Sequence, residues 1–289
     1  MSAIAAVFEG LVDDAAMFPP GSAEVADAVA AHREYRRSWF APLIGPLVVS
    51  DQKLAGVGRA LSGGGSDAGR DEVLAVSVVN TSGAGGLVSL AQRHVAGVRV
   101  VAIESALRDL DDLAGNAARV VSAAADLDDE VAVFVEIPYA PGWERVVSEV
   151  EAAGHFGKIR TGGPDPLDTP AANQLARQLS VLIEADLSFK ATAGLHHALP
   201  TPGADPATPR QHGFLTLLAA VAALVDGATE RDAADLLCSV DGAALAESIG
   251  GWSQIQATRT RRRFRSFGCC GVLDPVGDLV ALGLVAEPS

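Results

Sequence analysis

An α/β barrel of the eight-stranded TIM type is the fold class that the sequence predicts, on three observations. Segments of strand character alternate with helical ones along the whole chain, the pattern of a parallel sheet joined by helical crossovers. The strand segments are continuous apolar runs, as expected where both faces of a sheet are covered. Counting the candidates at both ends gives eight strands, and a length of 289 residues suits a single barrel domain over 1–289. No Gly-x-Gly-x-x-Gly follows the first strand, which argues against a dinucleotide-binding sheet, and no internal repeat of fixed period is present.

The elements follow in order. Residues 3–7 form a short helix and 10–16 a first strand, ended by the rigid turn Phe18-Pro19-Pro20-Gly21. Ser22 is an N-cap candidate for a helix over 23–40, with Glu24 and Asp27 near its positive end. A strand over 43–50 carries Pro46 near its start. A helix over 51–61 precedes a glycine-rich loop over 62–69. The buried-strand pattern of 73–80 leads through a glycine turn, 81–86, to a helix over 87–95. Strand 98–104 is followed by a helix over 105–125, strand 131–138 by a helix over 143–153, and strand 158–161 by a helix over 170–185. Strand 187–192 leads to a loop over 198–211 with four prolines, long enough to act as a lid or binding loop. The apolar run 214–225 reads as a buried helix, 230–240 and 243–249 as a helical insertion spanning about 229–250, and 252–263 as a basic helix. Residues 264–269 form the last strand and 275–284 the last helix.

Hydrophobic residues make up 49% of the chain and charged residues 20%, which supplies a large core and argues against disorder. The formal charge of −14 argues against nucleic acid and anionic membranes as partners. No apolar run approaches the roughly 20 residues that span a bilayer, and no secretory leader is recognisable. The three cysteines, Cys238, Cys269 and Cys270, do not make a disulfide framework, so reduced thiols and a cytoplasmic location are expected. The arginine run 259–265 reads as an exposed helix face, with Arg265 a candidate for the interior. Self-assembly into a homo-oligomer is left open.

In such a barrel the active site lies at the carboxyl ends of the strands. This chain places polar residues there repeatedly: Asp13 and Asp14, Ser50 and Asp51, Asn80, Glu104, Glu136, Lys158, Arg160, Lys190, His196 and His197. Asp51 reads equally well as a helix cap. Glu104 and Glu136 each interrupt an apolar strand, where a carboxylate needs a cation or donors. Lys158 and Lys190 lie within strand-like segments, although lysine is rarely buried unless paired. Each precedes a small, flexible turn, with Thr161 and Gly162 after one and Thr192 and Gly194 after the other. Strand alternation puts Lys158 and Arg160 on one face, and Lys190 and Thr192 on one face. A lysine desolvated or placed beside other cations loses its proton near neutral pH and can attack a carbonyl to form a Schiff base. Arg160 and Lys190 would supply that field to Lys158. The equal alternative is that both lysines bind a phosphate or carboxylate as charges only. His196 or His197 could carry the proton of such a step, or the histidines and carboxylates could ligate a metal. The small residues of 267–271 would let a ligand approach the last strand closely. No partner histidine for Cys269 or Cys270 is identifiable, so packing is the expected role of both.

The two lysine segments resemble deoxyribose-phosphate aldolase and related class I aldolases. In those barrels the sixth strand carries the Schiff-base lysine in a Lys-Thr-Ser-Thr-Gly type motif, and the seventh a second lysine in a Lys-Ala-Ser-Gly-Gly type motif. Lys158-Ile159-Arg160-Thr161-Gly162 is similar to the first and Lys190-Ala191-Thr192-Ala193-Gly194 to the second. The resemblance covers these two segments alone. It implies that Lys158 forms the imine and that Lys190 tunes it; no aspartate clearly matches the family's fourth-strand acid, and Glu104 would have to serve there. Arg160 stands where the pattern has a small polar residue, and the histidine pair lies outside it.

The sequence reading is therefore a Schiff-base-forming lyase acting on a small anionic carbonyl metabolite, a sugar phosphate or keto acid. Lys158, Lys190, Glu104, Glu136 and His196 are its catalytic candidates. Arg160, Thr161, Gly162, Thr192, Gly194, His197, Asp13 and Asn80 are its substrate-binding candidates. It calls for no cofactor and assigns no metal ligand. Metal-dependent enolisation or hydrolysis at the barrel mouth, and a non-catalytic anion-binding barrel, are the alternatives.

Overall fold

A computed structural model describes residues 6–63, 73–163, 165, 168–201 and 211–288. Its eight strands are β1 (Val12–Asp14), β2 (Ile44–Ser50), β3 (Leu74–Asn80), β4 (Val98–Ala106), β5 (Ala132–Glu136), β6 (Phe156–Arg160), β7 (Phe189–Thr192) and β8 (Phe264–Cys269). Each pairs in parallel with the next, and β8 pairs with β1 through Val12↔Phe267 and Asp14↔Cys269, closing the barrel. The crossovers carry α1 (Val25–Tyr35), α2 (Leu54–Gly63), α3 (Gly83–Ala91), α4 (Leu113–Ala124), α5 (Trp143–Ala152), α6 (Ala172–Glu184) and α7 (Phe214–Val225). Then come α8 (Glu230–Leu237), α9 (Gly242–Gly250), α10 (Gln254–Arg263) and, after β8, α11 (Leu273–Ala281). The fold class is an α/β barrel of the TIM type. No helix among the described residues is long and apolar enough to cross a membrane.

The core lies between strands and helices, and a second layer fills the barrel. Phe267 of β8 stacks on Phe214 of α7 with centroids 5.1 Å apart. Inside, Phe134 and Phe156 pack at 5.2 Å, Arg265 lies over the Phe156 ring, and Lys190 Nζ sits 5.3 Å from the centre of Phe134. The lysine site thus stands next to an aromatic layer. Most of the basic run is used in place. Arg259 pairs with Asp226, Arg261 donates to the carbonyls of Glu9 and Phe264, and Arg263 donates to the Asp186 carbonyl. Burial pulls the Arg261 guanidinium down to about 10. Arg265 is exposed overall while covering an interior ring.

Several boundaries differ from the sequence reading. Ser22 adopts φ 49°, and Glu24 holds the N-cap position of α1 with no side-chain cap bond. Gly83, Gly85 and Gly86 belong to α3, because Thr81 and Ser82 make the turn by bonding the Asp51 carboxylate. β4 runs on to Ala106 because Ser105 and Ala106 still pair with Val135 and Glu136, and α4 starts only after Asp112 caps Gly115. Pro275 sits in the first turn of α11, where its missing N–H costs nothing. Helix α8 packs against α6 and α7, so the helical insertion is built into the outer ring. The glycine-rich loop lies mostly outside the described residues, as does the short helix expected at 3–7, of whose stretch residues 6–8 form a single 3-10 turn. Of the proline-rich loop only the base is described, closed by backbone bonds between Thr201 and Gln211.

Candidate active site

Lysines 158 and 190 are Cα partners on β6 and β7, and alternation turns both into the barrel. Glu104 of β4 reaches both of them. Its Oε2 is 2.8 Å from Lys158 Nζ and its Oε1 2.6 Å from Lys190 Nζ. Ser77 of β3 donates to the same Oε1 at 2.7 Å. Lys190 is held further by Asp13 Oδ2 at 2.5 Å, which also accepts from Ser266 of β8 at 2.8 Å. Lys158 is held further by Glu136 Oε2 at 3.0 Å, and the other oxygen of Glu136 faces Arg160 Nη1 at 3.4 Å. Residues from β1, β3, β4, β5, β6, β7 and β8 thus share one network.

The network is graded from inside to outside. The side chains of Lys190 and Glu104 are 2% exposed, that of Lys158 6%, Glu136 15% and Arg160 44%. Burial alone would raise the Glu104 carboxyl, but the ammonium groups of Lys158 and Lys190 outweigh it and hold Glu104 well below the usual carboxylate range. Glu136 is lowered in the same way by Lys158 and Arg160 against its burial. Burial would lower both lysines, yet the carboxylates prevail. Glu104 and Glu136 keep Lys158 above its ordinary value, and Asp13 and Glu104 do the same for Lys190. This corrects the expectation that Arg160 and Lys190 depress Lys158. A neighbouring cation acts in that direction, but two carboxylates stand closer. Burial raises Asp13, against the opposing pull of Lys190.

A glycine on β2 makes room for that acid. A Cβ on Gly45 would come within 2.1 Å of Asp13 Oδ1. Asp13 is short and pinned by Lys190 and Ser266, so it cannot simply swing aside. Gly45→Ala is expected to cost about 1–3 kcal/mol through overpacking, and urea denaturation of the two proteins measures it.

The other sequence candidates fall elsewhere. Thr161 donates its hydroxyl to the carbonyl of Ala193 at 2.5 Å, tying the turn after β6 to the turn after β7. Gly162 packs on Gly194, which has φ 75°, and a Cβ added at Gly162 would approach the Gly194 backbone to 3.0 Å. Thr192 stands beside them at the end of β7, half-buried. Asn80 bonds Ser105 and the Gly83 carbonyl and so serves the turn into α3. His197 faces Asp278 at 3.3 Å. His196 is half-buried, lowered by that burial, and its Nδ1 lies 3.9 Å from Cys269 Sγ and 3.8 Å from Cys270 Sγ. The cysteines therefore do have a neighbouring histidine, contrary to the sequence reading. Burial nevertheless raises both thiols, Cys269 to about 12, so neither has thiolate character. Asp14 turns away from the interior and pairs with buried His32 at 2.9 Å.

Ser77, Ser266 and Gly45 were missed by sequence reasoning. Ser77 carried a signal, as the lone hydroxyl in the apolar run Leu74–Asn80. Among the described residues no group of three or more His, Cys, Asp and Glu side chains is arranged to hold a metal ion. The three inward carboxylates already bond ammonium groups. Comparison with protein-family models, curated proteins and solved structures finds no match to this chain.

Proposed function

We propose that the barrel is a Schiff-base-forming lyase of the class I aldolase type, with Lys158 as the amine that condenses with a small carbonyl compound carrying an anionic group. One observation carries this reading: two buried lysines stand side by side in register on β6 and β7 with Glu104 bonded to both. Lys158 is the less enclosed of the two and has the longer contacts. Its partner Glu136 also contacts Arg160, which is exposed.

A ring of carboxylates around an amine suits an iminium, because the resting ammonium and the iminium both carry a positive charge on Nζ. The ammonium must first give up a proton, and Glu136 is the better acceptor. It serves only one buried lysine, whereas Glu104 serves two and is held further down. After condensation the iminium draws electrons from the adjacent C–C or C–H bond, and Glu104 and Glu136 stabilise its charge without having to reorganise. Lys190, fixed by Asp13 and Glu104, keeps Glu104 ionised and in place.

Deuterium exchange tests the chemistry. In D2O the protein is expected to exchange the methyl protons of pyruvate at a rate that saturates with pyruvate, followed by proton NMR. Exchange no faster than with an equal concentration of free lysine contradicts the reading.

A further inference from the structure

We infer that Glu136 and Arg160 form a carboxylate-recognition pair at the rim, and that the compound condensing with Lys158 is a short-chain oxo acid. The inference rests on the imine reading and narrows it from anionic carbonyl compounds to one class. Glu136 touches Lys158 Nζ with one oxygen, at 3.0 Å, and Arg160 Nη1 with the other, at 3.4 Å. A single carboxylate group therefore spans the distance from the reacting amine to the guanidinium. A carbonyl at Lys158 and an acid group at Arg160 can be separated by only a few bonds. The geometry favours an acid whose carboxylate adjoins the carbonyl or stands one or two carbons away.

Arg160 is equipped for that second carboxylate. Its side chain is 44% exposed, and among the described residues Glu136 is its one hydrogen-bond acceptor. A guanidinium offers five donors in a plane that matches a carboxylate fork, so most of its capacity faces outward. It lies two residues after Lys158 on β6, on the same face of the strand.

Arrival of the acid group also changes Glu136. Arg160 turns part of its charge to the newcomer, and a second negative charge comes to lie beside Glu136. Both effects raise its affinity for a proton. The proton on Lys158 Nζ then passes to Oε2 of Glu136 across the contact already in place. The freed lone pair forms the C–N bond, the carbonyl oxygen is protonated, and water leaves. Overall, an ammonium and a ketone become an iminium and one water, two protons of the ammonium departing with the carbonyl oxygen. Lys158 is stored as an ammonium until an acid substrate arrives, and a neutral ketone lacks the trigger.

Pyruvate and acetone differ by a carboxylate in place of a methyl group, and they test this. Adducts are trapped with cyanoborohydride at rising ketone concentration and counted by intact-mass spectrometry. The natural protein is expected to half-saturate at a pyruvate concentration at least about tenfold below that of acetone, the size of one charge-assisted hydrogen-bonded contact. Arg160→Gln is expected to bring the ratio close to one, and Arg160→Lys to restore part of it. A ratio near one in the natural protein, or one that Arg160→Gln leaves unchanged, overturns the inference. If neither ketone yields an adduct, equilibrium dialysis of radiolabelled pyruvate separates the two ideas. Binding that Arg160→Gln weakens about tenfold keeps the carboxylate pair and removes the imine. Binding that is absent or indifferent to Arg160 removes the pair as well.

Discussion

Glu104→Gln is expected to lower the free energy of unfolding by about 3–5 kcal/mol, the range found when one partner is removed from a buried ionic network. Glu104 accepts from Lys158, Lys190 and Ser77, and its side chain is 2% exposed. Glutamine keeps the shape but turns an amide donor towards one ammonium and leaves two buried cations without their shared counter-charge. Acid sensitivity should change with it. Glu104 and Glu136 have folded-state values below the ordinary 4.5, so their contribution is complete above about pH 4.5 and is lost as the pH falls below it. Lys190 has the opposite sense: raised above 10.5, it contributes fully below that pH and loses its contribution as the pH rises beyond it. Urea midpoints at pH 7 and pH 3.5 should therefore lie closer together in Glu104→Gln than in the natural protein. A loss under about 1 kcal/mol at pH 7 would mean that the network is not coupled as its distances indicate.

Lys158→Met is expected to reduce pyruvate proton exchange by at least about a thousandfold, since it removes the nucleophile that splits the reaction into easier steps. Methionine fills a similar volume without a charge, and Glu104 keeps Lys190. Lys190→Met should behave differently. The imine can still form on Lys158, but Asp13 and Glu104 lose their shared cation, so exchange slows while adducts persist. The pair of variants, compared by NMR exchange and intact mass, assigns the roles. Adducts that survive Lys158→Met and vanish in Lys190→Met would exchange them.

The barrel was legible because period and punctuation agreed. Phe214–Val225 and Phe264–Cys269 were bounded correctly by apolar runs between glycine, proline and arginine signals. Alternation along two short strands was enough to bring Lys158 and Lys190 to one face. The misjudged start of α3 is a place where a distant side chain, Asp51, fixes the turn. The sign of the electrostatics could not be read locally either. It depends on Asp13, which meets Lys190 across 177 positions of sequence, and on Glu104 reaching both lysines. Closure of the sheet sets those contacts, since inward residues of all strands share one interior. Gly45 drew no notice for the same reason. Its role is to leave space for a carboxylate on the neighbouring strand.

The central claim is tested most directly by locating the covalent bond. The natural protein is treated with pyruvate and cyanoborohydride, digested, and its peptides sequenced by mass spectrometry. A single reduced adduct on Lys158, absent when the ketone is omitted, is the predicted result. An adduct on the exposed Lys53 alone, with Lys158 unmodified, would contradict the account and leave the buried lysines as structural charges.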